Sequence, residues 1–171
     1  MAGAGFTNHF VGMVANEIAP DIFVAVESCD ELQYYDHYFE RSASIIINTA
    51  EKHVPLGHFV LLHVDIEEKA IHLFDSLTVA FADPNIVRYL GRIRKAHPTF
   101  RLYFSPFVIQ SPVSSNLCGV YVLSYLANLT KRCKDLSMEE FYSQFSEINL
   151  SKNDEVCMRF LLNHIVSCLD K

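Results

Sequence analysis

Two apolar runs separated by a short charged segment restrict the fold of this chain more than any other feature. The runs are HFVLLHVDI (58–66) and AIHLFDSL (70–77), and Glu67, Glu68 and Lys69 lie between them. Apolar runs of strand length joined by a short polar turn are typical of a β-hairpin. The pattern therefore predicts two antiparallel strands, with the start of the first beside the end of the second.

The remaining segments alternate between helical and extended patterns. A β-branched run predicts a strand at 44–50, whereas residues 30–43 lack a clear period. We expect helices at 8–17, 83–97, 117–133, 137–145 and 151–169, and extended segments at 21–26, 44–50 and 100–110. This order predicts a single α+β domain over residues 1–171, with a small mixed β-sheet flanked by helices.

Capping residues predict where three of the helices begin. Asp83 is a good N-cap and Pro84 suits the first helical position. Ser137 and the glutamate three residues later form a capping box. Ser115 or Asn116 is expected to cap the helix at 117–133.

Composition excludes several classes of protein. Of the 171 residues, 50% are hydrophobic and 20% are charged, which is enough apolar material for a core. The net charge of −6 argues against binding nucleic acid through its phosphates. One basic cluster, which we interpret as the solvated face of a helix, consists of Arg88, Arg92, Arg94 and Lys95, with His97 just after.

The cysteine pattern predicts a reduced protein without a bound metal. The five cysteines are Cys29, Cys118, Cys133, Cys157 and Cys168. Their odd count and the absence of a CxxC pair favour an intracellular protein over a disulfide scaffold, and leave no ligand pairs for zinc. The sequence has no convincing signal peptide and no apolar run long enough for a membrane helix. We therefore expect a reducing compartment, no metal, no cofactor and no membrane contact.

Cys118 differs from the other cysteines because it follows a polar loop and opens a predicted helix. The N-terminus of a helix carries unpaired N–H groups and a partial positive charge, which stabilise a thiolate and can bind an oxyanion. Gly119 would let a substrate backbone come close. Cys118 is therefore a candidate nucleophile. The alternative is a small buried core residue, as we expect for the other cysteines in predicted helices.

A thiol nucleophile also needs a base, and His58 is the best placed of the eight histidines. It begins the first hairpin strand, at the end of the sheet, whereas His63 and His72 lie in mid-strand and are expected to be packed and hydrogen-bonded. Asp75 ends the second strand, so the hairpin would place its carboxylate beside His58 and orient the imidazole.

Gln110 closes the predicted strand 100–110, just before the loop that leads to Cys118. Its amide N–H could point at an oxyanion beside the Cys118 backbone N–H. The alternative is an ordinary polar loop residue.

Four of these residues together resemble the catalytic set of one clan of cysteine proteases. The clan holds the adenovirus protease (adenain) and the proteases of SUMO and other ubiquitin-like proteins. The residues, in chain order, are His58, Asp75, Gln110 and Cys118. The segments that resemble the adenain branch are IINTAEKHVPLGHF (46–59), HLFDSL (72–77) and QSPVSSNLCGVYVLSY (110–125). The C-terminal segments resemble the adenain branch only in their general helical character and share no motif with it.

The resemblance implies a role for each residue. Cys118 would attack the scissile carbonyl, and His58 would accept its proton or form an ion pair with it. Asp75 would orient His58, and Gln110 would hold the oxyanion together with the Cys118 N–H. Asp30 corresponds to an Asp loop near the oxyanion hole of the adenain family. Such proteases cleave after small-residue motifs, often Gly-Gly or Gly-x.

Some positions depart from the adenain pattern. Phe59 stands where the family usually has Trp, although it can still pack beside the imidazole. Asp75 lies in DSL, which is closer to the SUMO proteases, and the loop before the nucleophile is one residue longer. Adenain uses a disulfide-tethered peptide and DNA as activators. Neither is expected here, because the segment 100–109 has no cysteine and the chain is acidic.

Three functions therefore remain open from the sequence. The first is a cysteine endopeptidase that cleaves viral or transposon-encoded capsid and precursor proteins, in the host nucleus or the virion if it is viral. The second is a cellular or bacterial-effector peptidase that acts on ubiquitin-like modifiers. The third is a binding or structural domain in which Cys118 is a core residue. The first two share their chemistry and differ in their polypeptide substrate.

Overall fold

The computed structural model describes residues 6–54, 57–130 and 136–169. Its helices are α1 (Asn8–Ile18), α2 (Pro84–Ala96), α3 (Cys118–Asn128), α4 (Met138–Tyr142) and α5 (Leu150–Leu169). Its strands are β1 (Phe23–Ser28), β2 (Ala43–Asn48), β3 (Phe59–Asp65), β4 (Ala70–Phe74) and β5 (Arg101–Phe104). Short 3₁₀ helices lie at Leu32–Tyr34, Ala80–Ala82 and Pro112–Leu117.

The described strands form a five-stranded sheet in chain order, from β1 to β5. The outer pairs, β1–β2 and β4–β5, are parallel, and β3 is antiparallel to both of its neighbours. The β3–β4 pair is the predicted hairpin, with Leu61 opposite Phe74. In this register the residue before β3 and the residue after β4 lie at the same end of the sheet. The mixed sheet flanked by helices confirms the predicted α+β class.

Alternation along the strands divides the apolar side chains between two cores. On one face, Ile46, Leu61 and Phe74 pack with residues of α1, α3 and α5. On the other face, Ile45 and Leu62 pack with residues of α2. Helices therefore cover both faces, which is why β2 and β3 are buried over nearly their whole length and read as continuous apolar runs.

Two of the predicted helix starts are confirmed by their hydrogen bonds. The Asp83 carboxylate accepts from the backbone N–H groups of Asn85 at 2.8 Å and Ile86 at 3.3 Å, and Pro84 occupies the first turn of α2. In α4, Ser137 and Glu140 form the reciprocal bonds of a capping box.

The predicted strand at 100–110 is wrong beyond Phe104. The Ser105 N–H still donates to the Leu73 carbonyl at 3.3 Å, but Pro106 has no N–H to continue the pairing. The chain then leaves the sheet, and the N–H of Gln110 donates to the Ser76 carbonyl instead, at 3.2 Å. This departure carries Gln110 from the sheet edge towards the end of β4.

The predicted cap at Ser115 or Asn116 is also wrong. The chain already forms a 3₁₀ helix over Pro112–Leu117, and Leu117 precedes α3 in a helical conformation without a side-chain cap. The predicted helix continued to residue 133, but α3 ends at Asn128, and residues 131–133 lie outside the described part of the chain. None of the helices in the described ranges is long and apolar enough to cross a membrane.

Two hydrogen-bonded histidines lie in the sheet beneath α3: His63 is buried and His72 is partly buried. His63 Nδ1 is 2.8 Å from the Ser44 hydroxyl, and His72 Nδ1 is 2.9 Å from the Tyr125 hydroxyl. Burial lowers the pKa of both imidazoles, and for His63 burial and the neighbouring His72 bring it to about 4. Both rings are therefore neutral at pH 7, and both are packed and hydrogen-bonded as predicted.

Burial of His63 predicts a loss of stability in mild acid. The unfolded chain binds a proton at this residue below about pH 6.5, whereas the folded chain does so only near pH 4, so stability falls as the pH falls through this window. At pH 5 this difference lowers the free energy of unfolding by about 2 kcal/mol relative to pH 7.5. Urea unfolding of wild type and His63→Gln at both pH values measures it.

The variant His53→Gln provides the control, because His53 is an exposed histidine. Its pH dependence should equal that of wild type, while that of His63→Gln should be weaker. Equal pH dependence in all three proteins would contradict a buried neutral His63.

Candidate active site

The candidate site lies at the end of the sheet where β3 begins and β4 ends, against the first turn of α3. Cys118 is the first residue of α3 and is only 3% exposed. Phe59, the first residue of β3, is buried in the same core as Cys118. The structure thus places the predicted nucleophile at a helix N-terminus, next to the sheet end that carries His58.

His58 and Asp75 are in direct contact, as the hairpin predicted. His58 Nε2 lies 2.6 Å from Asp75 Oδ1, and both side chains are largely buried. Thr49 fixes the backbone of His58 on both sides: its hydroxyl accepts from the His58 N–H at 3.1 Å, and its own N–H donates to the His58 carbonyl at 2.8 Å. Since Nε2 faces Asp75, the Nδ1 side of the ring is the side available to Cys118.

The Asp75 carboxylate is bound by the turn that follows it. Oδ1 accepts from the N–H of Leu77 at 2.9 Å, and Oδ2 accepts from the N–H groups of Val79 and Ala80 at 2.6 Å each. Thr78 has a φ of 58° within this turn, a left-handed conformation that costs a β-branched residue about 1–3 kcal/mol. The strained turn directs three N–H groups at one carboxylate and so fixes its orientation.

The contacts of His58 raise its pKa to about 9. Burial alone would lower the pKa of this imidazole, but hydrogen bonds to Asp75 and Cys118, together with the charges of both groups, raise it. For Asp75, burial acts in the opposite direction and would raise the pKa, yet His58 and the backbone N–H groups lower it. The pair therefore favours an ionised carboxylate beside an imidazolium.

The other described cysteines have the character of structural thiols. The Cys157 thiol is buried beside the Ser124 hydroxyl at 3.1 Å, and burial raises its pKa to about 12. The Cys29 thiol donates to the Thr49 carbonyl at 3.1 Å, and burial raises its pKa to about 11. Cys133 and the side chain of Cys168 lie outside the described part of the chain.

Gln110 is fully buried and is held by Ser76. The Ser76 hydroxyl donates to Gln110 Oε1 at 2.7 Å, and the Ser76 carbonyl accepts from the N–H of Gln110. The neighbouring carbonyl of Ile109 accepts from Asn153 Nδ2 at 2.9 Å and from the Tyr121 hydroxyl at 3.3 Å. Bonds from the turn after β4, from α3 and from α5 therefore fix the segment that leads to Cys118, and the oxyanion role of Gln110 stays a prediction.

The weaker candidates have contacts of other kinds. The Asp30 carboxylate accepts from the backbone N–H of Lys52 at 3.0 Å, in the segment that leads to His58. At Gly119, a Cβ atom would lie 2.8 Å from Cδ2 of Phe6, so the ring of Phe6 takes the space that glycine leaves. Packing against Phe6 therefore explains why residue 119 is a glycine. The expected approach of a substrate backbone to Gly119 stays a prediction.

Sequence reasoning missed Ser76 and Thr49, the residues that hold Gln110 and His58. Ser76 carried no periodic signal, because it lies in the turn after β4 and its partner Gln110 is 34 residues away. Thr49 carried none, since its partner lies across a loop. Among the described residues, no cluster of three or more His, Cys, Asp or Glu side chains could hold a metal ion.

No family model and no curated protein sequence matches this chain. Solved structures do match. An ASFV protease has 18% identity and a TM-score of 0.55, with 91% of this chain and 69% of that chain covered. The SUMO protease Ulp1, with its catalytic cysteine oxidised to a sulfonic acid, has 16% identity and a TM-score of 0.51, with 99% and 80% covered.

At these identities the matches show that this chain shares its fold with the ASFV protease and with the SUMO protease Ulp1. A second structure of the ASFV protease, also 18% identical and with a TM-score of 0.51, covers 69% of this chain, and the chain spans only 43% of that protein. The resemblance found in the sequence named the clan to which SUMO proteases belong, and the shared fold agrees with it.

Gly57, directly before His58, provides a test of how the site is held. A Cβ atom there would lie 1.8 Å from Asn48 Oδ1 and 2.7 Å from the Ala50 nitrogen, two atoms that are themselves hydrogen-bonded at 2.9 Å. We expect Gly57→Ala to lower the free energy of unfolding by about 1–3 kcal/mol through overpacking. It should also displace His58 and reduce the reactivity of Cys118.

Gly91→Ala is the matched control for this substitution. Gly91 lies within α2, and a Cβ atom there meets nothing within 4 Å. The control should gain about 1 kcal/mol of stability and keep the reactivity of Cys118. Thermal unfolding and a thiol-labelling rate compare the two variants. A Gly57→Ala protein as stable and reactive as the control would contradict the packing described here.

Proposed function

We propose that this chain is a cysteine endopeptidase with Cys118 as nucleophile, His58 as its proton partner and Asp75 as the orienting carboxylate. The observation that carries the proposal is the His58–Asp75 pair, with 2.6 Å between Nε2 and Oδ1, beside Cys118 at the N-terminus of α3, which also raises the pKa of His58. An imidazole in contact with a thiol takes its proton, and the helix terminus stabilises the thiolate that forms.

The proposed reaction proceeds in two halves. The Cys118 sulfur forms a bond to the scissile carbonyl carbon, and the carbonyl oxygen takes up the negative charge. The Cys118 N–H and the Gln110 amide are the proposed donors to this oxyanion. As the C–N bond breaks, the His58 imidazolium gives its proton to the leaving amine. A water molecule that His58 deprotonates then hydrolyses the thioester and frees Cys118.

For the substrate, we propose first a viral or transposon-encoded precursor polypeptide. Two considerations support this substrate: the resemblance to adenain over the three sequence segments, and a fold shared with the ASFV protease. A ubiquitin-like modifier is the second candidate, because the fold is also shared with the SUMO protease Ulp1, and Asp75-Ser76 resembles the acid segment of SUMO proteases. Both candidates require a polypeptide to enter beside Cys118.

Cleavage of a peptide library by wild type and Cys118→Ala tests the activity, the nucleophile and the specificity together. Wild type should cleave a defined motif, and Cys118→Ala should cleave nothing, because no other group forms the covalent intermediate. Cys157→Ala serves as the matched control for loss of a buried thiol and should cleave the same motif. Equal cleavage by wild type and Cys118→Ala would exclude Cys118 as the nucleophile.

A parallel panel of SUMO and ubiquitin fusions discriminates between the two substrates. Cleavage of a fusion with no cleavage of free peptides favours the modifier peptidase, and the reverse favours precursor processing. If wild-type Cys118 is not labelled by a thiol-reactive probe near pH 7, the chain is a binding or structural domain.

The raised pKa of His58 predicts where activity is lost in alkali. The imidazolium persists up to about pH 9, so kcat/KM should fall above that pH as His58 loses its proton. The Asp75→Asn substitution removes the negative charge and weakens the hydrogen bond that raise the pKa of His58. The alkaline limb should therefore move to lower pH, while Cys118 is still able to react. A pH profile of kcat/KM for both proteins measures the shift. An unchanged alkaline limb in Asp75→Asn would contradict the role of Asp75.

A further inference from the structure

We propose that Ser76 is a positioning residue that fixes the orientation of the Gln110 amide, so that the dipeptide Asp75-Ser76 aligns both halves of the catalytic machinery. The inference rests on the proposed function, in which Gln110 donates to the oxyanion. It adds a residue that the sequence patterns do not assign to the site.

At the end of β4, two neighbouring side chains bind different partners. Asp75 directly follows the last residue of β4, and Ser76 lies in the turn after it. Asp75 points to His58, with 2.6 Å between Oδ1 and Nε2, and Ser76 points to Gln110, with 2.7 Å between its hydroxyl and Oε1. Ser76 and Gln110 both have no exposed surface, so the bond between them is shielded from water.

Gln110 depends on Ser76 because it lies outside regular structure. β5 ends at Phe104, and its pairing with β4 does not continue past Ser105. Ser76 instead makes two bonds to Gln110: its carbonyl accepts from the backbone N–H at 3.2 Å, and its hydroxyl donates to the side-chain oxygen. A planar amide whose oxygen accepts a hydrogen bond cannot exchange its oxygen and nitrogen ends without losing that bond. The Ser76 hydroxyl thus decides which end of the amide is presented as a donor.

Two reactions of the same thiol separate this role from a general effect on the fold. Acylation of Cys118 by p-nitrophenyl acetate forms a C–S bond and expels p-nitrophenolate, and it passes through a tetrahedral oxyanion. Alkylation by iodoacetamide forms a C–S bond and expels iodide without an oxyanion. Neither reagent requires the natural cleavage motif. The rate of each is measured at Cys118 by mass spectrometry of its peptide, so the other cysteines do not interfere.

Ser76→Ala should slow acylation by about 10- to 100-fold and leave alkylation within about twofold of wild type. Gln110→Ala should do the same, and the double variant should be no slower than Gln110→Ala alone, because both changes remove one donor. Ser124→Ala removes another fully buried hydroxyl, one that donates to the Cys157 carbonyl, and should change neither rate.

Several outcomes would overturn the inference. They are equal slowing of both reactions by Ser76→Ala, an unchanged acylation rate, and additive effects in the double variant. If wild type cleaves no polypeptide while the acylation-to-alkylation ratio still falls in Ser76→Ala, the proposed function fails and the positioning role stands. If wild-type Cys118 reacts with neither reagent, both the proposed function and the positioning role of Ser76 are wrong.

Discussion

The carboxylate of Asp75 is the group on which the geometry of the site depends. Its two oxygens accept four hydrogen bonds, one from His58 and three from the backbone of the turn at 77–80. Those bonds keep the carboxylate ionised although it is buried, and they leave it one orientation. A carboxylate fixed in this way holds the imidazole towards Cys118 and raises the pKa of His58. The strained backbone at Thr78 is part of this arrangement, since it directs the N–H groups inward.

The β-sheet places the candidate catalytic residues close together. Antiparallel pairing of β3 and β4 sets His58 beside Asp75 in the same hairpin, and the residue after Asp75 then binds Gln110. The helix α3 packs across this face of the sheet and places its first residue, Cys118, at the same end. The three sources of the site are thus a hairpin, a loop held by that hairpin, and a helix terminus.

Local patterns predicted the parts of this arrangement that depend on neighbouring residues. The contact between His58 and Asp75 followed from strand lengths alone, because the register of a hairpin is set by its turn and its apolar pattern. The end of β5 had a local signal in Pro106, whereas the contact of Phe6 with Gly119 was not predictable, because it depends on packing between segments far apart in the chain. The bond from Ser76 to Gln110 spans 34 residues and left no periodic signal.

The central claim is that Cys118 and His58 act as one unit, and the rate of Cys118 alkylation by iodoacetamide as a function of pH tests it most directly. A thiolate paired with an imidazolium predicts a wild-type rate that is already high at neutral pH. In His58→Gln, the rate should be low at neutral pH and rise only in alkali, as for an isolated thiol. Superimposable pH profiles for wild type and His58→Gln would contradict the pairing, and with it the proposed catalytic role of the site.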